Sequence, residues 1–179
     1  MQSTICDFLI DITQNSIEAG SSVITIDVLE ENNIITFCIG DNGKGMDEET
    51  LTRVKDPFFT DGIKHKKRKV GLGIPFLMQT IESLNCEFDI KSEVDYGTSL
   101  YYSFDMNNID CPPLGDLPGS FCSLMLFEGD YELSIYRKRN NNSYKISRNE
   151  LRDVLGSLVD AESIILAKKY IISQEEDLY

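Results

Sequence analysis

The chain has 179 residues, of which 41% are hydrophobic and 26% are charged. This length and apolar content exclude a disordered chain and suit one compact core, alone or with a small second unit. Thirty acidic residues against seventeen basic ones give a net charge of −13, which disfavours general binding to nucleic acid or to anionic membranes. Five of the seventeen cations are concentrated in residues 64–69.

The sequence shows no sign of membrane insertion or export. No run approaches the roughly 20 apolar residues that a membrane-spanning helix needs, and the N-terminus lacks a signal-peptide pattern. We therefore expect a cytoplasmic protein with no membrane partner. The five cysteines have spacings that match neither a metal knuckle nor a redox pair, so we expect reduced, structural thiols. The single histidine, His65, excludes most histidine-based metal and triad chemistry.

In the first part of the chain, predicted helices and strands alternate, which indicates an α/β fold over residues 1–106. The predicted helices cover 2–19, 47–55 and 74–84, and the predicted strands cover 22–29, 34–40, 86–94 and 98–106. A stretch over 107–120 follows. It contains three of the five prolines and no sustained periodicity, which is typical of a linker.

After the linker, we predict a small α+β domain over residues 121–179, of unknown role. Residues 121–127 and 131–137 resemble the two strands of a hairpin, and a third short strand is expected at 144–146. A helix over 147–159 would begin at the cap Ser147, with Glu150 in the capping-box position. A last helix over 161–172 would end in an acidic tail at 175–177.

Asp11 and Asn15 lie four residues apart in the first predicted helix, so they are neighbours on one face. An amide oxygen is a suitable ligand for Mg²⁺, and a carboxylate beside it can orient a water molecule. The pair taken alone is better explained as a solvated flank of the helix.

A second polar segment, Asp41 to Met46, follows an apolar strand directly. Its glycines, Gly43 and Gly45, let the backbone approach a ligand closely. Asp41 can accept a hydrogen bond from an exocyclic amine such as the N6 group of adenine, and it would repel the carbonyl oxygen that guanine carries there. An Asn-Gly turn with an incidental aspartate is an equally good explanation.

Two further segments have glycines at or just before the start of a predicted helix or strand. Residues 57–60 precede the basic run, and Gly71 and Gly73 then precede a helix whose first backbone N–H groups could bind phosphate. Gly97 and Thr98 begin the last strand of this part. Taken singly, a solvated basic loop and an ordinary turn explain these features.

The order and spacing of the segments carry more weight than any of them alone. Over residues 1–106 the chain closely resembles the GHKL superfamily, the ATP-binding domains of histidine kinases, gyrase, heat-shock chaperones and MutL-type repair proteins. The resemblance implies a two-layer α/β sandwich of the histidine-kinase type, also called the Bergerat fold. The motifs that carry it are Asp11-x-x-x-Asn15-Ser16-x-x-Ala19-Gly20, Asp41-x-Gly43-x-Gly45, Pro57-Phe58-Phe59-Thr60, Gly71-Leu72-Gly73 and Gly97-Thr98.

The resemblance implies ATP and Mg²⁺ as ligands. Asn15 would bind Mg²⁺, Asp11 would polarise the attacking water or acceptor, and Asp41 would read adenine. Thr98 would support Asp41 through a water, and residues 58–70 would form a mobile lid over ATP. The other expected nucleotide contacts are Gly43, Gly45, Met46, Thr60, Lys69, Gly71, Leu72 and Gly73.

Two departures from the superfamily pattern indicate slow turnover. Lys69 stands where the first lid glycine is usual, so either the lid would be stiffer or Lys69 would itself contact phosphate. Asp11 is one methylene shorter than the usual glutamate, which shortens its reach to a catalytic water. The sequence also offers no helical hairpin with a phosphoacceptor histidine before the domain, since His65 falls within the predicted lid. We therefore do not expect a complete sensor kinase.

Three functions remain open on the sequence. The first is a stand-alone ATP·Mg-binding protein that phosphorylates a partner protein in trans or switches its shape with the nucleotide. The second is a catalytically weak nucleotide-sensing module. The third, a MutL-like role on DNA, is suggested by residues 15–20 and opposed by the acidic charge. The first two require a protein partner, and a homodimer is compatible with both.

Overall fold

The computed structural model describes residues 4–56, 73–156 and 158–179. The helices are α1 (Ile5–Glu18), α2 (Glu48–Val54), α3 (Gly73–Leu84), α4 (Leu117–Leu126), α5 (Arg148–Leu155) and α6 (Ala161–Glu176). The strands are β1 (Val23–Glu31), β2 (Ile34–Asp41), β3 (Phe88–Glu93), β4 (Gly97–Asp105), β5 (Glu132–Arg139) and β6 (Asn142–Ser147). No helix within these ranges is long and apolar enough to cross a membrane.

The strands form one mixed sheet in the order β3-β4-β2-β1-β5-β6. Strand β1 shows why one face of this sheet is covered by helices. Ile24, Ile26 and Val28 are fully buried, whereas the alternating residues Thr25 and Asp27 are exposed. Because successive side chains of a strand point to opposite faces, β1 has one core face and one open face. The predicted two-layer α/β sandwich is confirmed.

Helix α1 is fixed at its first turn from two directions. Thr4 caps it, with reciprocal hydrogen bonds between Thr4 and Asp7. In addition, the backbone N–H groups of Ile5 and Cys6 donate to carbonyl oxygens within residues 113–114, at 2.9 and 3.0 Å. These bonds satisfy N–H groups that a helix cannot pair internally. The segment after β4 therefore holds the helix that carries Asp11 and Asn15.

The predicted strand over 121–127 is wrong, because these residues belong mainly to helix α4. Asp116 caps this helix by accepting a hydrogen bond from the backbone N–H of Gly119 at 2.9 Å. Phe121, Leu124 and Met125 are buried at the i, i+3, i+4 spacing of one helical face. A short apolar run does not distinguish a buried helix from a buried strand. Helix α4 also begins inside the predicted linker, 107–120.

Residues after the predicted linker extend the sheet of the first part. Strand β5 pairs in parallel with β1, and β6 pairs with β5 as an antiparallel hairpin. This hairpin replaces the predicted one, and β6 includes the predicted short strand at 144–146. The predicted cap of α5 is present, since the backbone N–H of Glu150 donates to Ser147 Oγ at 3.3 Å. The division into domains at 1–106 and 121–179 stays a prediction about folding units.

A buried ionic cluster ties α6 to the sheet. The guanidinium of Arg137, on β5, is fully buried and donates to Glu175 Oε1 at 3.2 Å and to a carboxylate oxygen of Glu30 on β1. Tyr144 donates to the other oxygen of Glu175 at 2.8 Å. Glu175, predicted as part of an acidic tail after the last helix, is instead buried within α6.

The cluster also shifts the ionisation of Glu30. Burial by itself raises the pKa of this carboxyl, but the hydrogen bonds and charges of Arg137 and Arg139 outweigh burial and hold the pKa below its ordinary value. A carboxyl with a lowered folded-state pKa contributes stability above its unfolded pKa. That contribution is lost as the pH falls through the folded-state value.

We predict that Arg137→Met lowers the free energy of unfolding by about 3 kcal/mol, because it leaves two carboxylates without their buried cation. Urea denaturation at neutral pH measures the loss, and the exposed neighbour Lys138→Met serves as the matched control. The difference between wild type and Arg137→Met should shrink in acid, once Glu30 is protonated in both proteins. Equal stability of the two variants at neutral pH would contradict a stabilising role for the cluster.

Candidate functional site

A cavity of about 280 Å³ lies between α1 and the adjoining ends of β2 and β4. It brings together five residues predicted as site residues: Asn15, Asp41, Gly45, Met46 and Thr98. The rest of its wall is formed by Ile12, Ser16, Ala19, Ile39, Lys44, Val54, Ile74 and Leu100. An apolar wall with a few convergent polar groups is typical of a small-molecule site.

The carboxylate of Asp41 is fixed from three sides at the end of β2. Ser16, on α1, donates to Asp41 Oδ2 at 2.6 Å. Ser21, in the turn before β1, donates to Asp41 Oδ1 at 3.2 Å, and the backbone N–H of Gly43 donates to the same oxygen at 2.9 Å. The two oxygens of a carboxylate offer about four acceptor positions. Because Oδ1 accepts two hydrogen bonds and Oδ2 accepts one, an acceptor position of Oδ2 remains for a ligand.

Gly43 is required by this arrangement because there is no room for a side chain. A Cβ atom at this position would lie 2.6 Å from Ser21 Oγ and 3.1 Å from Asp41 Oδ1. Such contacts are closer than nonbonded atoms tolerate, so a larger residue would displace the serine or the carboxylate. Gly43 therefore acts on the cavity through Asp41 and does not line the cavity itself.

The loop after Asp41 is held against the β3–β4 hairpin. The backbone N–H of Met46 donates to Ser92 Oγ at 2.9 Å. Gly45 has a positive φ of 63°, and a Cβ atom there would lie 1.8 Å from the carbonyl oxygen of Glu93. Only glycine accepts both this conformation and this close approach. The position of Met46 in the cavity wall therefore depends on Gly45 and Ser92.

Thr98 faces Asp41 across the β2–β4 ladder. Its hydroxyl oxygen lies 2.8 Å from Ser92 Oγ, so it shares the serine that holds the loop. Both Asp41 and Thr98 line the cavity, which agrees with a joint role. The water-mediated support of Asp41 by Thr98 stays a prediction.

Asp11 lies one helical turn before Asn15 and faces the start of α3. A Cβ atom at Gly73, the first residue of α3, would lie 3.0 Å from Asp11 Cβ and 3.5 Å from Asp11 Oδ2. Glycine thus allows the aspartate to pack directly against the helix start, where backbone N–H groups have no intrahelical partners. Among the described residues, Asp11 is not part of the cavity wall.

Several predicted site residues fall outside the described part of the chain. They are Thr60, Lys69, Gly71 and Leu72, together with His65 and the predicted lid over 58–70. Their assignment to the nucleotide stays a prediction.

Three serines of the site were not assigned a role from the sequence: Ser16, Ser21 and Ser92. Ser16 gives the clearest signal, because it lies four residues after Ile12 on the apolar face of α1 and is buried. A buried hydroxyl needs a hydrogen-bond partner. Its partner, Asp41, is 25 positions away, so spacing alone could not identify it.

Residues 2–108 match the family described as histidine kinase-, DNA gyrase B-, and HSP90-like ATPase. The chain belongs to this ATPase family. Among curated relatives, it is 34% identical over 105 residues to a putative sensor protein of Shewanella frigidimarina, a match that covers 57% of this chain and 16% of that protein. It is 33% identical over 93 residues to sporulation kinase E of Bacillus subtilis, covering 50% of this chain and 12% of the kinase. The matched region is thus a small part of each relative.

Two solved structures confirm the fold of this ATPase-family chain. The N-terminal domain of a DNA repair protein superposes with a TM-score of 0.56 at 12% identity, covering 91% of this chain and 59% of that one. The MutL ATPase domain of Aquifex aeolicus, complexed with ADP, superposes with a TM-score of 0.50 at 13% identity, covering 88% and 70%. At these identities, the likeness concerns the fold alone.

We predict that Ser16→Ala weakens ATP binding about tenfold, because Asp41 loses a hydrogen bond to its charged carboxylate. Titration calorimetry measures the affinity. Ser123→Ala is the matched control, since this exposed helical serine donates only to the carbonyl oxygen of Gly119, at 2.9 Å. An ATP affinity equal in both variants and wild type would remove Ser16 from the site.

Proposed function

We propose that this chain binds Mg·ATP in the cavity beside α1 and transfers the γ-phosphoryl group to a partner protein. The observation that carries the proposal is the shared cavity of Asn15 and Asp41. A carboxylate and a carboxamide, from a strand end and a helix, meet there in a largely apolar wall. The relatives named as sporulation kinases, each of which matches 50% of this chain, support phosphoryl transfer.

The cavity suits an adenine base. Ile39, Leu100 and Met46 offer apolar surface to the faces of the ring, and Oδ2 of Asp41 has an acceptor position for the N6 amine. Guanine carries a carbonyl oxygen at the corresponding position, which would face a carboxylate oxygen with no proton between them. The fixed carboxylate therefore favours adenine over guanine.

The cavity also suits the metal expected with ATP. Asn15 presents a side-chain amide from α1 to the cavity, and amide oxygens are among the ligands that Mg²⁺ accepts. When bound, Mg²⁺ neutralises charge on the phosphate oxygens. Asn15 would hold it beside the adenosine pocket.

Asp11 is the proposed proton acceptor in the transfer. Its carboxylate would take the proton of an attacking hydroxyl, whose oxygen forms a bond to the γ-phosphorus. The bond between that phosphorus and the bridging oxygen breaks, and ADP leaves. The start of α3, against which Asp11 packs, offers the N–H groups that a phosphate accepts from.

A second candidate function is a nucleotide-dependent switch with little turnover. It is favoured by Asp11, which is a short side chain and does not reach the wall of the cavity among the described residues. In this case, ATP would stabilise a surface that a partner protein recognises. The two functions share the binding site and differ in whether ADP is formed.

We predict that Asp41→Asn weakens ATP binding at least about a hundredfold, because the amide places a donor where Asp41 must accept three hydrogen bonds and the adenine amine. Calorimetry should show the same loss of affinity for ATP and for adenosine, since Asp41 contacts the adenine base that both contain. Asp27→Asn, on the open face of the same sheet, is the control. Unchanged affinity would refute the adenine assignment.

We predict that Asp11→Asn binds ATP like wild type but lowers the rate of phosphoryl transfer by about a hundredfold or more, because proton abstraction is lost. Incubation with γ-labelled ATP and co-purified proteins measures both partner labelling and ADP release. The exposed Glu18→Gln, on the same helix, controls for loss of charge. A wild-type protein that binds ATP yet yields neither label nor ADP would support the switch instead.

A further inference from the structure

Helix α6 presents several apolar side chains to solvent. Ile165, Leu166 and Tyr170 are 54%, 46% and 44% exposed, respectively. The opposite side of the helix is buried, with Ala167 at 1% and Ile171 at 0% exposed, where α6 packs on α4 and α5. Helix α6 is therefore apolar on both sides, and a contiguous exposed apolar patch is typical of an interaction surface.

The apolar surface continues from α6 towards α5. A groove of about 370 Å³ lies between the two helices, and Leu166 and Tyr170 form one of its walls. Val154, on the α5 side of the groove, is 82% exposed. The patch is thus wider than one helical row.

Of the exposed charged residues of α6, Glu162 and Lys169 lie on one face of the helix, one on each side of Ile165 and Leu166. Glu162 and Lys169 are exposed and seven positions apart, so they share a face but lie about 10.5 Å apart along the axis. That separation is too long for an ion pair within the helix. Among the described residues, neither forms an ion pair. Both charges are therefore available to pair with another molecule.

The residues of α6 complement those of a second, antiparallel copy of the same helix. With a midpoint between Ile165 and Leu166, an antiparallel copy places Glu162 opposite Lys169 and Ile165 opposite Leu166. The same register places Val159, which is 86% exposed, opposite Ile172. A two-fold contact requires this kind of self-complementary surface, because the same patch serves both subunits.

We propose that two copies of this chain associate through antiparallel packing of their α6 helices. Ile165 and Leu166 form the apolar centre, and Glu162 of each copy pairs with Lys169 of the partner subunit on either side of it. The contact would also cover the groove beside α5. This association needs no nucleotide, and so it goes beyond the proposed function.

Charge reversal tests this arrangement. Sedimentation velocity of the 179-residue chain over a concentration series should show a dimer. Glu162→Lys and Lys169→Glu should each weaken the dimer at least about tenfold, because each variant places like charges opposite one another twice. A mixture of the two single variants should form a heterodimer, and the double variant Glu162→Lys/Lys169→Glu should dimerise like wild type.

Lys145→Glu is the control, because Lys145 is an exposed residue of the edge strand β6. It should leave the dimer unchanged. A wild-type monomer at all concentrations would overturn the proposal, as would single variants that dimerise normally. Loss of the dimer in Lys145→Glu would overturn it in favour of association through the sheet edge. The mixture and the double variant keep the test decisive if one single variant folds poorly, which circular dichroism would reveal.

Discussion

The hydrogen bonds to the carboxylate of Asp41 join the parts of this structure on which the site depends. Ser16 brings α1 to the end of β2, and Ser21 brings the turn before β1 to the same carboxylate. The third donor, the N–H of Gly43, fixes the direction in which the chain leaves the strand. A carboxylate with three donors cannot rotate without losing hydrogen bonds to its charge, which are stronger than neutral ones. The acceptor position left at Oδ2 is therefore held in one direction before any ligand arrives, which lowers the entropy cost of binding.

The elements after the predicted linker support this site from the side of β1. The backbone N–H of Glu132, at the start of β5, donates at 2.9 Å to the carbonyl oxygen of Ser22, the residue after Ser21. The loop before β5 is in turn held by Arg148, a buried side chain that donates to four backbone carbonyl oxygens at 2.8–3.2 Å. These carbonyls belong to the end of α4 and the loop that follows it, so Arg148 satisfies groups that the helix leaves unpaired. The C-terminal segment is thus continuous with the framework of the site.

The periodicity of apolar residues along the sequence predicted those helices and strands that depend mainly on interactions between neighbouring residues. Strand β1 shows alternating apolar and polar residues, and α1 shows apolar residues on one helical face. The two elements can be told apart in the sequence because strands and helices have different periodicities. The meeting of Asn15, Asp41 and Thr98 in one cavity was predicted from the order of the motifs, which resembles that of the superfamily. Spacing in the sequence does not by itself place a helix beside the ends of two strands. The sequence predicts a strand in place of helix α4 because the apolar residues there occupy more than one face of the helix. The Arg137–Glu175 contact joins residues 38 positions apart, so the sequence around Glu175 indicated only an acidic tail.

The position of Asp11 gives the departure from the superfamily pattern a physical meaning. Gly73 lets the aspartate approach the start of α3 closely, where the dipole of the helix favours negative charge. A carboxylate and a phosphate both accept hydrogen bonds from the N–H groups of a helix start, and their negative charges repel one another when they are close. A longer acidic side chain on α1 would extend further into the region where the phosphates are expected. Under the proposed function, the shorter aspartate would keep its charge nearer to its own helix and would leave more of the helix terminus to phosphate. In the proposed transfer, the shorter side chain would also lengthen the path from the carboxylate to an attacking hydroxyl.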